Sequence, residues 1–270
     1  MLTFIPTPIG NPQDITIRAL RCFEKATLFL CEDTRETKRL LSILEERFNF
    51  VSPKVEFLSF HEHNGAVRLA EISKRLSRES VIYVSDAGMP IISDPGQILV
   101  EYCQKYNIEY DVLPGASAVT TAYASSGFKD GRFTFFGFLS HKGSERSSQL
   151  IDIMNSNYNS VLYEAPHRIE KLIKEIASID SNREVFFAKE LSKKFQNYYR
   201  GTAKEILEEF KSINTKGEWV VVIEAKKEEA KALYVEDILA FDLQPKVKAK
   251  LLAKISDKSV KSWYEELIKR

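Results

Sequence analysis

The loop at residues 85–96, SDAGMPIISDPG, is the segment of this sequence best suited to bind a ligand. It follows the apolar run Val81 to Ser85, which has the length and composition of a buried strand. A carboxylate at the carboxyl end of such a strand can accept hydrogen bonds from a ligand's hydroxyl or amine. We therefore predict that Asp86 binds a ligand, with stabilisation of the loop as the alternative. Asp94 and Pro95 are predicted to start the next helix.

A second group of charges follows the apolar run at residues 27–31. Asp33 and Glu36 match a capping box for the next helix, which leaves Glu32 and Arg35 as surplus charge.

A third group, YEAPHR at residues 163–168, has a similar composition. Pro166 is suited to start a helix, while Glu164, His167 and Arg168 gather at the end of a strand. A single cluster of this kind is usually a salt bridge at the rim of a sheet. Two clusters in two halves of a chain can instead face each other across a cleft.

The loop after the first apolar run, TPIGNPQD at residues 7–14, contains Gly10, which permits close approach of another group to the backbone. Asp14 is predicted to cap the following helix. The loop does not match GxGxxG, and no GxxxxGK[ST] occurs in the chain, so the usual phosphate-binding loops of nicotinamide and nucleotide triphosphate enzymes are missing from the sequence.

Two further segments are candidates for contact with a substrate. His61 and His63 would share one side of an extended strand, but no third ligand stands nearby at metal-binding spacing, so we predict no metal. Residues 189–204 combine five Lys and Arg with one acid, Glu190, and with aromatic side chains that include Tyr198. Because basic groups hold phosphates and aromatic faces stack bases, this segment indicates RNA binding; a solvated β-edge or loop is the alternative.

Short apolar runs of strand length alternate with segments of helical period along residues 2–224. This alternation predicts an α/β fold with a parallel sheet covered on its faces by helices. We identify nine candidate strands, too many to assume one sheet, and Leu113-Pro114-Gly115 is the clearest division between two halves. The predicted organisation is one α/β domain at residues 1–114, a second at 115–225, and a helical extension at 226–270. That extension is either a solvated tail or a module that helps to hold a polyanion.

Composition limits the class of protein. The 39 Lys and Arg balance 38 Asp and Glu, so any binding to nucleic acid or membrane must be local. Three cysteines without CxxC spacing argue against a disulfide framework and a thiolate zinc site. With no signal-peptide pattern and no apolar stretch of about 18 residues, we predict a cytoplasmic protein without a membrane span.

Six motifs together resemble the ribosomal RNA small subunit methyltransferase I family. They are TPIGNPQDIT at residues 7–16, CEDTR at 31–35, SDAGMPIISDPG at 85–96, LPGASA at 113–118, YEAPHRI at 163–169 and GEWVVVI at 217–223. Pro12, Met89 and Gln196 depart from the family's usual Leu, Thr and Glu, so no acidic role is carried over to position 196.

The resemblance implies two α/β domains of the tetrapyrrole methylase type, with S-adenosylmethionine bound in the cleft between them. It also implies a homodimer that methylates the ribose 2′-hydroxyl of a decoding-centre cytidine in the 16S RNA of the small ribosomal subunit. Carried over by position, Pro8 and Gly10 form the floor of the cleft. The other implied cofactor contacts are Asp86, Ala87, Gly88, Ile91, Ile92, Ser117 and Ala118.

The charged clusters then receive roles in catalysis and RNA binding. We expect Glu32 or Glu164 to help remove the proton from the hydroxyl, since their clusters are expected to face each other. The predicted RNA contacts are Arg35, Arg168, Lys193 and Lys194 to phosphates, Tyr198 to bases, and the loop residues His61 and His63.

Three other functions remain as alternatives. A tetrapyrrole or precorrin methylase would share the fold and cofactor, although such enzymes normally carry GxGPGD in the first loop, where this chain has PIGNPQD. A catalytically silent RNA-binding assembly factor would not need the cofactor. A metal hydrolase built on His61 and His63 would need a bound metal.

Overall fold

The computed structural model of this protein describes residues 1–93, 95–226 and 234–268. The chain forms two compact units, Met1–Lys226 and Lys227–Arg270. None of the helices in these described stretches combines the length and the apolar character that crossing a bilayer requires.

The first sheet of Met1–Lys226 is entirely parallel. Its strands are β1 (Leu2–Phe4), β2 (Leu28–Cys31), β3 (Glu56–Ser59), β4 (Val81–Val84) and β5 (Tyr110–Val112). Their order is β3-β2-β4-β1-β5. Every residue of β1, β2 and β4 is buried, because helices cover both faces of the central strands.

Five α-helices accompany the described residues of this part of the chain. They are α1 (Ile17–Glu24), α2 (Thr34–Phe48), α3 (Gly65–Ile72), α4 (Gln97–Lys105) and α5 (Ala118–Ser126). Two separate cores lie on the two faces of the sheet, one around Phe23 and Phe29 and the other around Phe60 and Tyr83.

Two predicted helix starts in this part are wrong. The side chain of Thr16, not of Asp14, caps α1 by accepting a hydrogen bond from the backbone of Ala19 at 3.0 Å. Helix α4 begins after Gly96, so Pro95 lies before the helix, and Asp94 lies outside the described residues.

The second sheet is mixed. Its strands are β6 (Phe133–Phe138), β7 (Asn159–Glu164), β8 (Glu184–Lys189), β9 (Asn197–Thr202) and β10 (Trp219–Ile223). The order is β6-β7-β10-β8-β9, with β6 and β7 parallel and the other pairs antiparallel. Helices α6 (Gly143–Met154), α7 (Ile169–Ile179) and α8 (Ala203–Glu209) complete this half.

The two sheets contain ten strands in the described part of the chain, and β9 is the strand that was not among the nine candidates. It lies at the edge of the sheet and leaves Asn197, Tyr198 and Arg200 exposed, so its sequence lacks the apolar run that identifies buried strands. Pro166 does not start α7, because the helix begins at Ile169.

The second unit is helical in the part that the structure describes, residues 234–268. It contains α9 (Val235–Ala240), α10 (Pro245–Leu252) and α11 (Val260–Ile268). A small core of Ile238, Ala249, Leu252 and Trp263 holds these helices together.

The predicted α/β class is therefore confirmed. The two sheets lie on either side of residue 114 in the sequence, and the division into domains at 1–114, 115–225 and 226–270 stays a prediction.

Candidate active site

The carboxyl ends of the first sheet's strands meet at one edge, because all five strands are parallel. There the loops after β1 and β4 pair through their backbones. The Thr7 amide donates to the Gly88 carbonyl at 3.0 Å, and the Gly88 amide donates to the Thr7 carbonyl at 2.9 Å. Gly88 has φ +78°, and a Cβ there would lie 3.1 Å from Cγ2 of Ile9, so both backbone conformation and space favour glycine.

Glu32 and Asp86 are linked through backbone amides at the ends of neighbouring strands. The Asp33 amide donates to the Asp86 carboxylate at 3.0 Å, and the Asp86 amide donates to the Glu32 carboxylate at 3.3 Å. Partial burial, together with the charges of Asp33 and Glu36, raises the pKa of Asp86. The fold thus holds two carboxylates in fixed positions at this edge.

Arg35 is not surplus charge. Asp33 caps α2, as predicted, by accepting a hydrogen bond from the Arg35 amide at 2.8 Å, and its carboxylate pairs with the Arg35 guanidinium at 2.6 Å. These hydrogen bonds lower the pKa of Asp33 to about 2. The Arg35 side chain is 88% exposed, so its outer face stays open to solvent.

Glu164 lies in a buried ion network. Its carboxylate pairs with Arg146 at 2.9 Å and with Arg168 at 2.7 Å, and it accepts a hydrogen bond from the Ala165 amide at 2.9 Å. Arg146 also pairs with Glu175 at 2.9 Å. Both oxygens of Glu164 therefore have cationic or amide donors.

A pocket of about 440 Å³ brings the two clusters together. Glu32, Asp86 and Ala87 line it from loops of the first sheet, and Tyr163, Glu164 and Trp219 line it from the second. A smaller pocket of about 70 Å³ shares five lining residues with it: Ile9, Ala87, Ser93, Ala118 and Tyr163. The two pockets are thus contiguous.

Most of the predicted cofactor residues line these two pockets. Those that do are Asp86, Ala87, Gly88, Ile92, Ser117 and Ala118. Pro8 and Ile91 are not among the lining residues; Ile91 packs against the core that contains Phe60 and Tyr83.

Gly10 lies in a different cleft, where the first loop contacts the loop after β8. A Cβ on Gly10 would lie 2.5 Å from Cγ of Lys193 and 2.9 Å from the carbonyl oxygen of Leu191. The Ser192 hydroxyl donates a hydrogen bond to the Asp14 carboxylate nearby. This close contact joins the two halves of Met1–Lys226 and explains why glycine stands at position 10.

The predicted RNA-binding residues are spread over several environments. Lys193 pairs with Glu190 at 3.1 Å and Glu218 at 2.9 Å, whereas Lys194 is exposed above the ring of Phe195. Tyr198 is 46% exposed on β9. Arg168 is buried against Glu164, so its RNA-binding role stays a prediction that its contacts do not favour.

His61 and His63 lie in a turn before α3 rather than in an extended strand. The His61 amide donates to the Asn64 side chain at 2.8 Å, which fixes the turn, and the two imidazole rings are 6.0 Å apart. Within residues 1–93, 95–226 and 234–268, no group of three His, Cys, Asp or Glu side chains is placed to hold a metal ion.

Sequence reasoning missed the aromatic lining of the larger pocket. Tyr163, Phe138 and Trp219 belong to it, and none of them was a candidate residue. Tyr163 adjoins a charged motif, and the glycine at 137 interrupts a strand of phenylalanines, which is a signal for a bulge near a site.

Comparisons with known proteins add to this geometry. The family model described as Tetrapyrrole (Corrin/Porphyrin) Methylases matches residues 1–207. A Ribosomal RNA small subunit methyltransferase I of Campylobacter fetus subsp. fetus is 44% identical over 271 residues, which cover 99% of this chain and 100% of that protein.

Two solved structures share the fold. A diphthine synthase has a TM-score of 0.64 at 15% identity, covering 83% of this chain and 90% of that one. The uroporphyrin-III C-methyl transferase of Thermus thermophilus, complexed with S-adenyl homocysteine, has a TM-score of 0.55 at 13% identity, covering 82% and 96%.

Proposed function

Since this chain belongs to the ribosomal RNA small subunit methyltransferase I family of the tetrapyrrole methylases, we propose that it transfers a methyl group from S-adenosylmethionine to the RNA of the small ribosomal subunit. The observation that carries this proposal is the pocket of about 440 Å³, lined by Glu32 and Asp86 on one side and by Tyr163 and Trp219 on the other. Its volume is within the range of small-molecule sites, roughly 300–1,000 Å³.

The residues of the two contiguous pockets fit the methyl donor. Ala87 and Ala118 leave room beside the backbone, Ile9 and Tyr163 offer apolar surface, and the Asp86 carboxylate is positioned to accept hydrogen bonds. When bound, S-adenosylmethionine supplies a methyl group on a positively charged sulfur. Walls of this kind would hold the donor and keep water from the transferred group.

We extend the proposal to the acceptor, the ribose 2′-hydroxyl of a decoding-centre cytidine. Transfer forms a carbon–oxygen bond, breaks a carbon–sulfur bond and releases the hydroxyl proton. Alignment of the reacting atoms can lower the activation free energy by about 7–11 kcal/mol. A general base typically raises the reaction rate by a factor of about 10² to 10⁴. Residues that position the RNA are therefore expected to matter as much as the base.

Of the two candidate bases, the contacts favour Glu32. It is half-buried, lines the pocket and is oriented by the Asp86 amide, so its carboxylate is suited to receive the hydroxyl proton. Glu164 instead neutralises Arg146 and Arg168, and a proton on Glu164 would remove the negative charge that both buried cations share. We assign Glu164 to positioning the wall of the pocket.

Arg35 and Lys194 are the proposed phosphate contacts, because both expose cationic groups. Lys193, Tyr198, His61 and His63 remain proposed RNA contacts. A homodimer and a cytoplasmic location follow from the family and are likewise proposals. Light scattering of the purified protein tests the dimer.

The test is methyl transfer from labelled S-adenosylmethionine to small subunits that lack the modification. We expect label in one nucleotide, with its ribose resistant to alkaline cleavage at that position. Label on a base would reject the 2′-hydroxyl acceptor. Donor binding without any transfer would favour a role in assembly, and transfer to a tetrapyrrole would favour the macrocycle methylases.

A further inference from the structure

Strand β6 contains a bulge beside the larger pocket. Phe135 pairs with Val161 and Phe138 pairs with Tyr163, so three steps along β6 match two along β7. Gly137 lies in the bulge with φ +64°, a left-handed conformation that glycine adopts without steric cost.

The bulge changes the direction of Phe138. In a regular strand, side chains three positions apart point to opposite faces. Here Phe135 and Phe138 both contact the ring of Tyr163, with centroids 5.1 Å and 5.4 Å away. The extra residue therefore brings Phe138 to the face that carries Tyr163 and the pocket.

Phe138 lines this pocket and yet remains 56% exposed. Phe136, two residues earlier, is 37% exposed and does not line it. Phe138 is thus an accessible aromatic ring, supported from behind by Tyr163, at a site that a ligand can reach.

The charges around the pocket indicate which part of an RNA would meet this ring. The described residues that line the pocket include four carboxylates and no Lys or Arg; the carboxylates are those of Glu32, Asp86, Glu164 and Glu218. Carboxylates at close range repel phosphate, whereas an uncharged base or sugar is tolerated.

We propose that Phe138 is a stacking platform for a nucleobase of the RNA, holding the target nucleotide, unstacked from its neighbours, in the pocket. This inference rests on the proposed function. Aromatic rings stack bases with little sequence preference, because every base has a π-face. The proposed donor contacts Ala87, Gly88, Ser117 and Ala118 line the smaller pocket, and Phe138 is not among its lining residues.

The test compares three variants in their affinity for unmodified small subunits. Phe138→Leu keeps an apolar side chain but removes the ring, and we expect affinity to fall by roughly 5- to 150-fold, the loss of one base stack. Phe138→Trp offers a larger ring and is expected to keep most of the affinity. Phe136→Leu is the matched control, with unchanged binding.

Calorimetry of S-adenosylmethionine binding distinguishes a base from the donor. We expect Phe138→Leu to bind the donor as the wild type does. The inference is overturned if Phe138→Leu binds small subunits normally, if Phe138→Trp loses as much as Phe138→Leu, or if donor affinity falls instead.

The two proposals fail in different ways. Absence of methyl transfer by the wild type rejects the proposed function, while the binding series still decides the role of Phe138. A wild type that does not bind small subunits rejects both.

Discussion

Two clusters of charge that are similar in sequence differ in the folded protein. Glu32 follows β2 and Glu164 ends β7, and each has an arginine within four residues. Glu32 is half-buried and accepts a hydrogen bond from a backbone amide, whereas the Glu164 side chain is fully buried between Arg146 and Arg168. The Glu32 cluster is therefore arranged as a candidate site, whereas the Glu164 cluster is a buried ion network.

The difference comes from neighbours that are remote in sequence. Glu32 meets the loop of Asp86 because β2 and β4 are adjacent and parallel. Glu164 meets Arg146 because α6 packs beside α7, and a buried carboxylate is tolerated only when paired. A charged strand end thus lines a site or joins a structural ion network according to which residues a neighbouring element places beside it.

Glu32→Gln is expected to have the largest effect. If Glu32 receives the hydroxyl proton, the methyl-transfer rate falls by about 10²- to 10⁴-fold. Single-turnover transfer with saturating donor measures this loss. Glu46→Gln, on the exposed face of α2, is the matched control and keeps the wild-type rate. A fully active Glu32→Gln would contradict the assignment.

Glu164→Gln examines the other cluster. It leaves Arg168 buried without the carboxylate that it pairs with and leaves Arg146 with Glu175 as its counter-charge, and we expect the free energy of unfolding to fall by about 3–5 kcal/mol. Denaturant titration measures it. Glu170→Gln breaks only an exposed pair with Lys174 and should cost less than about 1 kcal/mol. Normal stability with a lost transfer rate would instead make Glu164 the base.

Gly10→Ala tests whether the first loop must contact the second half for the clusters to share a pocket. The new methyl group would meet the backbone of Leu191 and Ser192, and we expect a loss of about 1–3 kcal/mol in stability together with weaker donor binding. Thermal unfolding and calorimetry measure both. Gly131→Ala, where no atom lies within 4 Å of the added Cβ, is the control. Equal stability and equal donor binding of the two variants would show that this contact is not required.

The smallest expected effect is a pH dependence at the Glu32 cluster. The pKa of Asp86 is raised above its ordinary 3.8, so between pH 3.8 and the raised value the native state holds more protons than the unfolded chain. Stability therefore falls as pH rises through that window. Asp86→Asn removes this loss and should be slightly more stable than the wild type at neutral pH, with no difference below pH 3.8.

The stability difference between Asp33→Asn and the wild type should have the opposite sign. The pKa of Asp33 is lowered to about 2, so its contribution is present above pH 3.8 and is lost as pH falls toward 2. Thermal unfolding between pH 2 and 7 measures both variants. If their pH dependences had the same sign, the roles given to these neighbouring carboxylates would be wrong.

The sequence predicted the α/β class well, because buried strands are short apolar runs that stand out from helical periodicity. Position at strand ends predicted that Glu32, Asp86 and Glu164 would gather, since the ends of parallel strands meet at one edge. The other lining residues named in advance came from the resemblance to the family, carried over by position. The predictions failed at helix starts and at β9. A cap depends on which of several side chains reaches the free amides, and an exposed edge strand has no apolar alternation to reveal it.

Residue types and spacing alone determined that Glu32 and Asp86 would lie at strand ends, because the side-chain chemistry and the strand period are local properties. Only the tertiary structure decided that Asp86 would orient Glu32, that Glu164 would be neutralised by two arginines, and that Phe138 would turn toward the pocket. Those outcomes depend on strand order, helix packing and one extra residue in a strand, which bring together groups far apart in the chain.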